Sequence, residues 1–219
     1  MSNRKPFSGF TLVELLAVIA IIGVLTAFTI PILRGIARTK YLNTAKAEMG
    51  QLETAIDSYH SVYGFYPPDN GNNVLINQLY YELEGTTNDG TYYTTLDGAT
   101  QIKVTDVSTA FQNPGGKVEG FLNCSKAGSG PDTVAGRNFI HELVPRQTGA
   151  ITSGTVNVTL LTGSIGGPDT TYQPLGVPGL NPWRYKSSGI LTNNPGSYEL
   201  WIQLVIDGKT HLVCNWNKP

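Results

Sequence analysis

The chain opens polar, turns apolar, and then settles into two different periodicities. Residues 1–9, MSNRKPFSG, are polar and basic, and Phe10 to Leu33 follows as an apolar run with a single charge, Glu14. As a helix this run would extend roughly 36 Å, enough to cross a hydrocarbon core of about 30 Å. Beyond it, Ala45, Met49, Leu52, Ile56, Tyr59 and Tyr63 recur at spacings of four and three. That is the stripe of an amphipathic helix packed on its own globular domain. Lys46, Glu48, Gln51, Glu53 and Asp57 fall mostly elsewhere. The helix should stop near Gly64, because Pro67-Pro68 forbids continuation.

From Gly64 onward the pattern becomes β-like and turns multiply. Tyr198 to Ile206 alternates, Asp207-Gly208 follows, and Lys209 to Trp216 alternates again. Two alternating runs joined by Asp-Gly predict a hairpin with a type I′ turn. One face of this hairpin is expected to cover the stem helix. Ile102–Val107 and Thr155–Leu161 are weaker strand candidates. The fold class is therefore α+β: a long N-terminal helix, membrane half plus amphipathic half, packed on a C-terminal antiparallel sheet domain. The divisions fall at 1–9, 10–33, 34–63 and 64–219, and the stretch at about 84–178, rich in Gly, Thr and Asn, reads as short strands and loops.

Three residues inside the apolar run need explanation. A carboxylate at the centre of a membrane helix costs about 2.5–3.5 kcal/mol on insertion scales, so Glu14 is a functional candidate. It lies near one end of the run, where its side chain reaches the interface more readily. Pro31 removes a backbone hydrogen bond from the helix, and Gly23 loosens it, so a kink or local melting is expected near 26–31. A secretory signal peptide has an apolar region of about 7–15 residues and a small-residue cleavage site. This run is too long for that. A plain signal anchor fits the hydropathy and leaves Glu14 unexplained.

Composition narrows the function. The chain has 219 residues, formal net charge −1 and a pI near 6.3. It has no basic excess to hold nucleic acid. The two cysteines, Cys124 and Cys214, lack metal-ligand spacing. They either pair across a loop of roughly 90 residues, adding about 4–5 kcal/mol in the chain-entropy model, or remain buried free thiols.

Catalytic constellations are missing. His60, His141 and His211 are scattered, and His141-Glu142 lacks the second histidine of a zinc-protease helix. Gly163-Ser164-Ile165-Gly166 does not fit the nucleophile elbow. The chain is read as a non-enzyme. Asn123-Cys124-Ser125 and Asn157-Val158-Thr159 match the glycosylation tripeptide as accidents of sequence. Tyr80-Tyr81, Tyr92-Tyr93 and Trp183 are either a partner surface or, preferably, core.

The run Gly9-Phe10-Thr11-Leu12-Val13-Glu14 resembles the cleavage and methylation motif of type IV pilins and pseudopilins. The match continues through Gly23 and Pro31 and covers roughly the first 60 residues. The resemblance implies a prepilin peptidase that cuts after Gly9, N-methylation of Phe10, and Glu14 as an assembly residue. Physically, cleavage exposes an amine one helical turn from Glu14. In low dielectric an unpaired charge is expensive, so pairing of carboxylate and amine sets the stagger between subunits. The positive residues Arg4 and Lys5 before the span nearly balance Arg34, Arg38 and Lys40 after it. The resemblance decides the orientation: inner membrane, single pass, leader in the cytoplasm, C-terminal domain in the periplasm and later in a filament.

Tyr63-Gly64-Phe65-Tyr66-Pro67-Pro68 and Asn181-Pro182-Trp183 resemble the major pseudopilin of type II secretion systems; the segment between them at about 84–178 is longer than in that family and reads as an insertion. The expected partners are copies of the chain in a helical filament, other pseudopilins, the peptidase and an inner-membrane assembly platform. Many major pseudopilins carry a calcium loop among the last strands. Calcium needs about six to eight oxygens, and Asp207-Gly208 has no acidic cluster nearby. That site is not carried over, no cofactor is expected, and a calcium site using Asp169 or loop carbonyls stays open. One rival is a type IV pilin or minor pilin for adhesion, motility or DNA uptake. Another is a membrane-anchored binding or enzymatic domain.

Overall fold

The computed structural model describes residues 11–111, 120–126, 135–166, 169 and 171–216, without the side chains of 27–34. The arrangement is α+β and pilin-like: one long helix, then antiparallel and mixed sheets. Helix α1 runs Leu12–Tyr63 over 52 residues. The backbone is helical across Gly23 and Pro31 as well. The chain divides into two compact units, one through Lys40 and one from Tyr41.

In the first unit α1 is apolar on successive positions, and these side chains are exposed, from Val18 at 43% to Leu12 at 78%. In the second unit the stripe turns inward. Ala45, Met49, Leu52, Ile56 and Tyr59 are buried and Tyr63 is half-buried. Helix α1 ends where expected. Gly64 takes φ 78°, and its N–H still donates to the His60 carbonyl at 2.8 Å. That left-handed backbone is natural to glycine at a helix end.

A short helix α2, Leu79–Glu84, is buried along its whole length. Strands β1 (Thr86–Asn88), β2 (Tyr92–Thr95), β3 (Gln101–Lys103) and β4 (Cys124–Lys126) form a sheet of order β3-β2-β1-β4. The β1–β4 pair is parallel, with Thr86 opposite Cys124, so this sheet is mixed. Strands β5 (Thr148–Ser153) and β6 (Val156–Leu161) make a two-stranded ladder. Strands β7 (Arg184–Lys186), β8 (Glu199–Ile206) and β9 (Lys209–Cys214) make the third sheet. The β8–β9 hairpin has Ile206 opposite Lys209, and Asp207 and Gly208 take φ 51° and 71°. Two left-handed residues in a two-residue loop are the type I′ geometry. Leu200, Ile202, Leu204 and Ile206 of β8 share one core cluster with the stem stripe.

The structure corrects two expectations. The strand expected over 102–107 ends at Lys103, followed by a 3-10 turn at Val104–Asp106 and helix α3 at Val107–Ala110. Val107, Ala110 and Phe111 are fully buried at helical spacing, and that period wins over β-propensity. Glu48 belongs to the polar positions of the stem, yet it is only 6% exposed. Cys124 and Cys214 lie in different sheets as free thiols, Cys124 half-buried and Cys214 buried. Of the aromatic residues singled out, Tyr80, Tyr81, Tyr93 and Trp183 are core, and Tyr92 is half-buried.

Candidate functional site

The first turn of α1 is closed by its own side chains. The Thr11 N–H and hydroxyl donate to Glu14 Oε2 at 2.9 and 2.7 Å, and the Glu14 N–H donates back to Thr11 Oγ1 at 3.3 Å. This is a capping box, in which the residue before the helix and the third residue within it satisfy each other's orphan groups. Thr-x-x-Glu ahead of an apolar run is a readable signal for it. The sequence pairs Glu14 with the amine freed at Phe10 of its own or a neighbouring chain, and the partner it did not suggest is Thr11.

Behind the cap, Leu12, Val13, Leu15, Leu16, Ile19 and Ile22 are each more than half exposed. A helix that is apolar all round needs an apolar surrounding. At Gly23 an added Cβ would meet nothing within 4 Å. Gly9 and Phe10, the expected cleavage and methylation positions, lie outside the described residues, as does the side chain of Pro31. Among the described residues no helix is long and apolar enough to cross a membrane. The expected crossing over 10–33 falls partly outside them.

No group of three or more His, Cys, Asp or Glu side chains among the described residues is placed to hold a metal ion. The Asp169 carboxylate accepts from the Thr171 N–H at 2.9 Å and hydroxyl at 2.6 Å, so it closes its own turn.

Within the second unit, buried carboxyl groups that the sequence did not announce join the stem half of α1 to the rest of the core. Glu82 on α2 is fully buried and accepts from Tyr59 Oη at 3.0 Å, the Leu122 N–H at 2.9 Å and the Asn123 N–H at 3.0 Å. Burial pushes its titration upward, against those donors. Asn123 is fully buried too. Its Nδ2 donates to the Glu82 and Arg137 carbonyls at 2.7 and 2.6 Å. Its Oδ1 accepts from Tyr63 Oη at 2.9 Å and the Arg137 N–H at 2.8 Å. An amide engaged this way is closed to glycosylation in the folded state. Glu48 accepts the Ser164 hydroxyl and N–H, and burial pushes its carboxyl upward. Glu84 accepts from Asn138 Nδ2 at 2.8 Å. Burial and the nearby Asp97 push it up to about 7.

The fold and the capped helix together define a class: a pilin-like α+β chain led by an apolar N-terminal helix. Residues 4–30 match the prokaryotic N-terminal methylation motif. Among known proteins, the fimbrial protein EcpC of Eikenella corrodens is 33% identical over 91 residues. That alignment covers 38% of this chain and 60% of the relative's length. No solved structure matches.

Proposed function

We propose that this chain is the structural subunit of a membrane-rooted pseudopilus that serves type II secretion-like protein export. The observation that carries the reading is the capped helix with apolar side chains exposed on successive positions, inside the stretch that matches the methylation motif. Such a surface is stable against lipid or against neighbouring copies, and not in water. Residues 1–9 are the leader, 10–33 the membrane and filament-core segment, 34–63 the stem, and 64–219 the periplasmic domain. Prepilin peptidase cuts between Gly9 and Phe10, Phe10 is N-methylated, and an inner-membrane platform lifts the subunit out of the bilayer. Gly23 and Pro31 give the helix a place to bend as stems pack. No cofactor is needed for this work.

Glu14 then has two successive partners. Before assembly Thr11 satisfies it, which lowers the penalty of placing a carboxylate at a membrane boundary. In the filament it meets the new amine at Phe10 of its own or a neighbouring chain and fixes the stagger.

A second reading is a type IV pilus subunit. The similarity to a fimbrial protein favours it. Deletion of the gene separates the two: loss of protein export supports the pseudopilus, and loss of sheared surface fibres with export intact supports the pilus.

The test of the filament class is the N-terminal mass of membrane-extracted protein with and without an active prepilin peptidase. A mature chain that starts at methylated Phe10 only when the peptidase is present supports it. A chain that keeps Met1 in both strains overturns it. In the same strain Glu14→Ala should insert normally and lose filament yield by about tenfold or more, as expected when a buried charge is left unpaired. A normal yield would remove the register role.

A further inference from the structure

Between the start of β5, the segment that follows β6 and the loop that precedes β7 lies a cleft of about 440 Å³. Small-molecule sites span roughly 300–1,000 Å³. Arg146, Thr148, Thr162 and Ser164 supply its polar side chains, with Ile165, Val177 and Leu180 as apolar wall. Gly149, Gly166 and Gly179 also line it, so much of the wall is bare backbone.

Arg146 is exposed and held at φ 76°, a left-handed conformation that non-glycine residues avoid. Such backbone persists only where its surroundings over-determine it, and it collects at ligand sites. Here the determinants are visible. Thr162 Oγ1 donates to the Arg146 carbonyl at 2.6 Å. Gln147 Oε1 accepts from the Val144 N–H at 2.8 Å, and Gln147 Nε2 donates to Gln51 Oε1 on α1 at 3.1 Å. Gln51 Nε2 donates in turn to the His141 carbonyl at 3.1 Å. The other wall is fixed by Ser164, whose hydroxyl and N–H go to Glu48. Gln51 and Glu48 are three residues apart on one face of the stem, so a single turn of α1 holds both walls.

Two of the three lining hydroxyls have fixed directions, and these constrain the ligand. Thr162 and Ser164 both give their proton to protein acceptors. What they offer the cleft is lone pairs, so they accept from a ligand. Arg146 offers only donors and a positive charge. The apolar wall fits a C–H face. A complementary ligand carries a carboxylate, hydroxyl donors and an apolar ring face together. We propose that this cleft binds a sugar acid, a uronate unit of an acidic saccharide, with its carboxylate on Arg146 and its hydroxyls donating to Thr162 and Ser164. The inference goes beyond filament assembly and stands independently of it.

The test uses the isotope-labelled full chain in detergent micelles, titrated with glucuronate, glucose and acetate. Glucuronate should give saturable shifts at the amides of Gly149, Thr162 and Ser164. Glucose lacks the charge and acetate lacks the hydroxyls, so each should bind about tenfold or more weakly. Arg146→Asn keeps a left-handed backbone, which asparagine tolerates, and removes the cation. It should weaken glucuronate by about tenfold or more. Val177→Glu places like charge on the cleft wall and should do the same without touching the Arg146 loop. Unshifted amides elsewhere confirm that both variants fold. The proposal fails if wild-type protein shows no glucuronate-dependent shifts or if acetate or glucose binds as well. It also fails if Arg146→Asn leaves affinity unchanged, or if an acidic peptide displaces glucuronate at lower concentration, which would assign the cleft to a protein partner.

Discussion

Glu48, Glu82 and Glu84 are three carboxyl groups buried in the unit that begins at Tyr41. Burial is the largest influence on each and pushes all three upward. Glu84 has the clearest consequence, at about 7 in the folded chain against 4.5 for a free carboxyl. The folded state holds this proton more tightly than the unfolded state does. Its contribution to stability is therefore complete below about pH 4.5 and is lost as pH rises through about 7. Thermal unfolding should show a lower Tm at about pH 8 than at about pH 5. Glu84→Gln keeps an acceptor for Asn138 and cannot ionise. It should shrink that difference by roughly 2–6 °C, with Glu48 and Glu82 responsible for what remains. An unchanged difference would mean that Glu84 ionises freely in the folded state. These side chains were illegible in the sequence because nothing local marks a glutamate as buried. Glu82 is buried because residues far along the chain, Leu122 and Asn123, bring their N–H groups to it. The Thr11–Glu14 cap is the opposite case, four adjacent residues that state their own hydrogen bonds.

Elements were legible where one period ran uninterrupted. The stem stripe from Ala45 to Tyr63 and the hairpin around Asp207-Gly208 came directly from spacing, and β6 came within one residue. Strands β1, β4 and β7 are three residues each, too short for an alternation to register. Helix α2 was hidden for a related reason: it has six residues, and its two glutamates are buried with its apolar side chains, so no exposed polar face sets a period. The hairpin turn gives a direct test of the backbone argument. An added Cβ at Gly208 meets nothing within 4 Å, yet the residue sits at φ 71°. Gly208→Ala should therefore destabilise by about 1–2 kcal/mol through backbone strain alone. Gly71 is equally open and has no left-handed φ, so Gly71→Ala should stay within about 0.5 kcal/mol. Urea unfolding of the two variants side by side would settle the comparison. Equal losses would mean that the turn relaxes to another type.

At the level of the whole molecule the chain is two units with opposite relations to solvent. Among the described residues, the unit through Lys40 exposes its large apolar side chains, while the unit from Tyr41 encloses one core cluster drawn from the stem, α2 and the three sheets. Each is built for a different surrounding. A chain that begins at Tyr41 should remain monomeric and unfold cooperatively without detergent, because its stripe and its sheet partners are both retained. The full chain should require detergent or self-associate. Sedimentation of both forms checks this, and an unfolded or aggregated shorter chain would show that the first unit supports the second. The boundary itself was less legible than the elements. The helical period passes through it unbroken, and only the change from outward to inward apolar side chains marks it.

The parallel pairing of β1 with β4 also carries a consequence in time. The β1–β2, β5–β6 and β8–β9 partners are neighbours along the chain, and local hairpins close in about 1–10 μs. Strand β4 instead has to return across the intervening β2, β3 and α3, and such closures are slower because more chain entropy is lost before any contact forms. Docking of β4 therefore comes late in maturation. It is the step that delivers the Leu122 and Asn123 amides to Glu82. A copy passed to a growing polymer ahead of that event would still carry an open edge on β1, a ready place for the wrong chain to add.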